Sequence, residues 1–157
     1  MDDRALIQHQ LGVSRQILKH SVGDISEAEA SKLPEAILAP IVWQVGHLAF
    51  VNASFIKRAG LTPATELPER YADLFKTGTG GAADYPKLSE ALEAFDSTHD
   101  ALVRAVAEAN LQTSDEGPRG LWSTVGEMFS FSDVHRWYHI GKINTLRALL
   151  GKPRLFG

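Results

Sequence analysis

Residues 124–150 read TVGEMFSFSDVHRWYHIGKINTLRALL, and the fold turns on this stretch. Met128, Ser132, His135, His139, Ile143, Leu146 and Leu150 recur at steps of three and four residues, which is the period of one face of an α-helix. Thr124 precedes the first apolar turn and Glu127 follows it three residues on, the order of a capping box at a helix start. Gly151 and Pro153 supply the stop. A long amphipathic helix with two histidines on its inward face is the expectation for the C-terminal part of the chain.

Working back towards the N-terminus, Leu88, Leu92, Phe95, His99, Leu102 and Val106 form a helical stripe, which predicts a third helix over about 86–110. Residues 61–86 are rich in Gly, Pro and Thr and read as a long crossover, with a helical turn around 69–75; connections of this length are uncommon and often functional. A second helix is expected over about 41–59, with Pro40 suited to its first turn and Gly60 and Pro63 closing it. A first helix is expected over about 3–22, its stripe drawn through Leu6, Val13, Ile17 and His20, with Gly23 at its end. Residues 24–39 are a connection with a short helix, punctuated by Pro34 and Pro40. No strand pattern and no repeat is present. The reading is all-α: a single domain, 1–157, folded as a four-helix bundle with a long crossover between helices 2 and 3. The shorter loop between the third and fourth helices favours them as antiparallel neighbours.

The chain has 157 residues, a hydrophobic fraction of 44% and a formal charge of −3. A domain of this size buries roughly two-thirds of its unfolded surface and needs no staples. The charge balance lacks the basic surplus that nucleic acid requires, and the basic cluster over 142–154 reads as a solvated helix face. No apolar run reaches the ~20 residues of a membrane span, and the N-terminus lacks the order of a secretory signal, so a cytoplasmic location is expected, without membrane or nucleic-acid partners. Cysteine is absent, which excludes disulfides, thiolate nucleophiles and Cys-ligated metals. Any thiol in the chemistry must come from a substrate or cofactor.

His135 and His139 stand four apart, one turn apart on one helix face, with their Cβ atoms close enough for two imidazoles to meet on one ion at bonds of ~2.0–2.1 Å. The spacing alone is common by chance. His47, within WQVGHLAF in the second helix, is the third candidate, since bundle cores bring side chains of facing helices together; a satisfied core histidine is the competing explanation. Arg136 follows His135 where a gluzincin has Glu, and neither histidine closes a Glu-x-x-His motif. A mononuclear site with three protein ligands and open positions is the pattern that remains, the pattern of a catalytic ion. His99 is a pocket or core histidine in preference to a fourth ligand, and Asp96 three residues before it is a weak echo of a carboxylate motif. Trp43 and Tyr138 are further candidates for the pocket, although Tyr138 falls off the ligand face by periodicity and Trp43, Trp122 and Trp137 read as core residues in preference to a dimer surface. The crossover around Tyr71, Phe75 and Tyr85 is a candidate cover for the site. His9 and His20 read as solvated. No catalytic acid or base stands out.

With WQVGHLAF around His47 and HRWYHIGKINTLRALLGKP over 135–153, the chain resembles the DinB-like family, which also takes in YfiT-type metalloenzymes, over nearly its whole length. The resemblance implies a four-helix bundle with a crossover and one divalent ion held by His47, His135 and His139. Zinc or nickel is expected first, with iron or manganese as further candidates. It implies a metal-dependent enzyme that transfers a low-molecular-weight thiol (bacillithiol, mycothiol or glutathione in relatives) to a small electrophile, or a metal-assisted hydrolase. It also implies a homodimer and a small-molecule substrate. A non-catalytic metal- or ligand-binding stress protein, or a helical dimerisation module, is the alternative.

Overall fold

Asp2 opens the first helix: its carboxylate accepts from the Ala5 N–H, satisfying one of the donors a helix start leaves free. The computed structural model describes residues 2–33, 38–64, 66–81, 84–153 and 155. Its elements are α1 (Asp3–Val22), α2 (Glu27–Ala30), α3 (Ile41–Arg58), α4 (Arg70–Phe75), α5 (Leu88–Glu108), a 3₁₀ turn (Pro118–Gly120) and α6 (Val125–Leu149). The four long helices and the two short ones match the expected bundle with its interrupted connections. Pro34 and Arg154 lie outside the described residues. Among those described, no helix is long and apolar enough to cross a membrane.

Helix directions follow from the cross-bundle bonds. Arg4 near the start of α1 donates to the Ala109 carbonyl just past the end of α5, Gln8 to Val103, and Arg15 to Asp96, so α1 and α5 are antiparallel. Arg136 reaches Leu11 while Arg147 reaches Ser21, so α1 and α6 run parallel. α3 packs against α5, α6 and the short α4. Ile41–Ala49 share one apolar cluster with Leu88–Phe95, and Phe55 and Ile56 share a second with Ala101–Val106, so α3 and α5 also run parallel. Two consecutive parallel helices require a connection that returns along the bundle, and residues 59–87, including α4, provide it.

Four expectations are corrected. α5 and α6 are not packed neighbours; α6 pairs with α1 and α3, and α5 with α3 and α1. The loop over 109–124 carries its own anchors, with Trp122 buried and bonded to Asp115, and so crosses the diagonal. The buried face of α1 is Ile7, Leu11, Ser14, Leu18 and Val22, whereas Leu6 and Val13 are exposed. This helix carries two staggered apolar stripes, and packing selects one. Arg147, taken as part of a solvated basic face, is buried; it pairs with Asp24 and donates to the Ser21 and Pro153 carbonyls. The capping box of α6 is displaced: Thr124 accepts from the Glu127 N–H at 3.2 Å, while the Glu127 carboxylate accepts from the Ser123 N–H.

The core is two apolar clusters separated by a polar layer. Leu18, Trp43, Leu48, Phe75, Phe95 and Ile143 belong to one cluster, and Leu11, Phe55, Leu102, Met128 and Phe129 to the other. Between them lie Ser14, Asn52, Thr98, His99, Ser132 and Arg136, one or two from each long helix and all buried. Arg136 holds the layer together, donating to the Leu11 carbonyl (2.8 Å), Ser14 Oγ (3.2 Å) and Asn52 Oδ1 (3.5 Å). A buried cation left without such acceptors would be costly.

A three-histidine centre between two helices

The first half of α3 is buried on every side, from Ile41 to Ala49, as expected of a helix apolar all round. It lies between α6 on one flank and α4 on the other. Gly46 makes the second approach possible: a Cβ there would lie 2.3 Å from the Phe75 ring. Phe75 is the last residue of α4, so its carbonyl belongs to the group that has no partner within the helix. It accepts from His47 Nδ1 at 2.6 Å. The proton of His47 is thereby held on Nδ1, and Nε2 keeps its lone pair.

The same arrangement recurs at His139. Gln44, one turn before His47, donates its Nε2 to the Ala39 carbonyl (3.0 Å) and presents Oε1 to His139 Nδ1 at 2.5 Å. His139 therefore also offers a bare Nε2. His135 Nε2 stands 3.0 Å from it, and His135 Nδ1 is buried with no hydrogen-bond partner. Ring centroids are 4.5 Å apart for His135–His139, 4.8 Å for His47–His139 and 5.2 Å for His47–His135. The three ligand nitrogens lie within 4.8 Å of one another. Two nitrogen lone pairs facing each other at such a distance repel unless a proton or a cation lies between them. A proton on His135 Nε2 would fill that role, as would a divalent ion with the His135 proton on Nδ1. Neutral nitrogen donors suit zinc, nickel, copper and iron, and calcium and magnesium poorly. The residues fit a metal ion.

Burial keeps all three rings neutral. It lowers the pKa of His47, opposed by the Phe75 carbonyl and aided by Lys142. It lowers His135 to about 4 and His139 to about 2, with further lowering from the other histidines and from Lys142. A metal ligand must be deprotonated, and these rings are so across the ordinary pH range. Trp43 stacks on His47 at 4.6 Å and 10°, its indole N–H bonded to the Leu74 carbonyl and Thr79. Phe131 stacks on His135. Tyr138 is largely exposed, yet its ring edge meets His139 at 5.1 Å. Tyr71 and Tyr85 pack on the ring of Phe75, so the crossover touches the site through that residue.

The sequence model of one family covers most of the chain, matching residues 10–143 with the description DinB superfamily. The chain belongs to the DinB superfamily. All three histidines of the centre fall inside the matched span, and its helical bundle is the fold expected of a DinB-superfamily chain. Searches of curated proteins and of solved structures gave no match.

Not every candidate joins the centre. His99 lies outside the group; it accepts from Arg136 at 3.2 Å, and burial, with Arg136 beside it, lowers its pKa to about 3. Asp96 is engaged with Arg15 and Lys19 on the surface of α1 and α5. His9 and His20 are exposed. Four participants were not anticipated: Gln44, the Phe75 carbonyl, Phe131 and Lys142. Gln44 had a signal, since it precedes His47 by three residues and shares its side of the helix. The Phe75 carbonyl is a backbone atom and had none.

Proposed function

We propose that this DinB-superfamily chain is a metal-dependent enzyme that joins a low-molecular-weight thiol to a small electrophile, or hydrolyses such a molecule with bound water. The observation that carries this proposal is the convergence of three neutral imidazoles, two with their Nδ1 protons fixed by hydrogen bonds so that Nε2 faces the common point. Three protein ligands leave positions for a reactant, as at catalytic rather than closed structural ions. Bound here, zinc or nickel supplies Lewis acidity, lowering the pKa of a coordinated thiol or water. The chain's own residues hold and shield that position: Gln44 and the Phe75 carbonyl orient two ligands, and Trp43 and Phe131 cover His47 and His135 with apolar rings. The absence of cysteine accords with a borrowed thiol. The family resemblance further supports a homodimer, which sedimentation of the purified chain tests; a cytoplasmic location rests on the sequence reading alone, and localisation in cells tests it.

Elemental analysis of untagged protein is expected to show about one divalent ion per chain. His135→Ala should abolish it, together with turnover in a panel of thiol conjugations and hydrolyses. Unchanged occupancy in that variant would remove the site. A second reading follows from the depth of the centre, with His47 and His139 both buried: an ion that fastens α3 to α6 without reacting. In that case chelation lowers the melting temperature and no panel substrate turns over.

A further inference from the structure

Lys142 occupies the position one turn beyond His139 on α6, completing a face that runs His135, Tyr138 and His139, Lys142. Its ammonium lies over the Tyr138 ring, 4.4 Å from the centroid, and the edge of that ring meets His139. The cation–π contact holds a flexible side chain at the rim of the centre. Lys142 is half-buried, and among the described residues no carboxylate pairs with it. Its charge is felt at all three histidines, with Arg136 adding to it at His135. Among the described residues, no acidic side chain shifts any of the three rings. The ligand set itself is neutral. A divalent ion placed there would therefore leave the centre strongly positive, with a further cation beside it and no described carboxylate to balance either.

We infer that Lys142 is a specificity-determining residue that recognises a carboxylate on the small molecule completing the metal centre. The ligand class is a monoanionic tail attached to a metal-binding donor atom. Lys142 is a single ammonium without a partnering guanidinium on its face, which suits one carboxylate better than a dianionic phosphate. Resting on the metal-centre proposal above, this adds the charge of the reactant to it.

The test uses full-length protein loaded with cobalt(II), whose visible bands report coordination and whose near-ultraviolet thiolate band reports ligand binding. Two probes of similar length are titrated: 3-mercaptopropionate and the neutral 3-mercaptopropan-1-ol. Wild-type protein is expected to bind the carboxylate-bearing thiol about three- to five-fold more tightly, the scale of one partly exposed ion pair. In Lys142→Gln the ratio should fall to about one, in Lys142→Arg it should be kept, and both variants should still bind cobalt. Equal affinities in wild type, or a preference that survives in Lys142→Gln, would overturn the inference while leaving the metal centre intact. Cobalt bands with no thiolate band for either probe would overturn it too. No cobalt bands at all would overturn both proposals.

Discussion

Gln44 uses both ends of its amide. The Nε2 group is committed to the Ala39 carbonyl, and that bond dictates which end faces His139. An oxygen so placed fixes the imidazole tautomer and makes the ring a better donor. Gln44→Ala should therefore weaken metal affinity by about 10- to 100-fold with little change in helical content; competition with a chromophoric chelator, alongside circular dichroism, measures it, and an unaltered affinity would deny Gln44 its role. At this scale much of the centre was legible. His135 and His139 share a face through spacing alone, and His47 lies in a segment too apolar to be solvated. The misjudged residues fail for a common reason: their partners sit on other elements. Arg136 enters the sequence reading only as the residue standing where a gluzincin has Glu, yet it is buried and points to α1 and α5, where Leu11 and His99 accept its protons. Tyr138 falls off the ligand face, but a long side chain brings its ring back to the edge of His139.

The short helix α4 is the element that ties the crossover to the centre, and Gly46 is the residue that admits it. An added Cβ would meet the Phe75 ring at 2.3 Å, and Phe75 is fully buried. Gly46→Ala should cost about 1–3 kcal/mol, the usual penalty of overpacking, and should also weaken metal binding, because the displaced carbonyl of Phe75 no longer orients His47. Gly141 on α6 is the opposite case. An added Cβ there meets nothing within 4 Å, and Gly141→Ala should stabilise the protein by about 0.5–1 kcal/mol through helix propensity. Denaturant unfolding of the two variants against wild type checks both signs; a Gly46→Ala variant as stable as wild type would contradict this account of α4. Element ends were well marked in the sequence, because caps and stops are local: Asp2, Pro40, Thr124 and Gly151 all lie at or just beyond helix ends. Which helices touch was less legible. Loop length bounds the distance between two helix ends but does not choose between a neighbour and a diagonal partner, and so the pairing of α5 with α6 was misjudged.

Across the whole molecule, the polar layer makes one cooperative unit of all four long helices. A cut through it crosses Ser14, Asn52, His99 and Arg136, each bonded to or facing another helix. Its stability depends on protonation. Burial, assisted by the charge of Arg136, holds His99 at a pKa of about 3 against an ordinary 6.5, so the folded state keeps the ring neutral while the unfolded chain binds a proton below pH 6.5. Where the unfolded state binds more protons, stability rises with pH. The contribution of neutral His99 is therefore complete above about 6.5 and is lost as the pH falls from there towards 3. One proton limits the slope to about 1.4 kcal/mol per pH unit. His47, His135 and His139 are shifted the same way in the metal-free chain, so the total acid sensitivity is shared among four rings, and a difference measurement isolates one. His99→Gln keeps an oxygen acceptor for Arg136 without a titrating ring. Its unfolding free energy, followed in denaturant from pH 7 to pH 5 on metal-free protein, should fall less steeply than that of wild type, the gap reaching about 1 kcal/mol per unit below pH 6. Curves that stay parallel would mean that His99 titrates alike in the folded and unfolded chains, and that Arg136 does not hold it neutral.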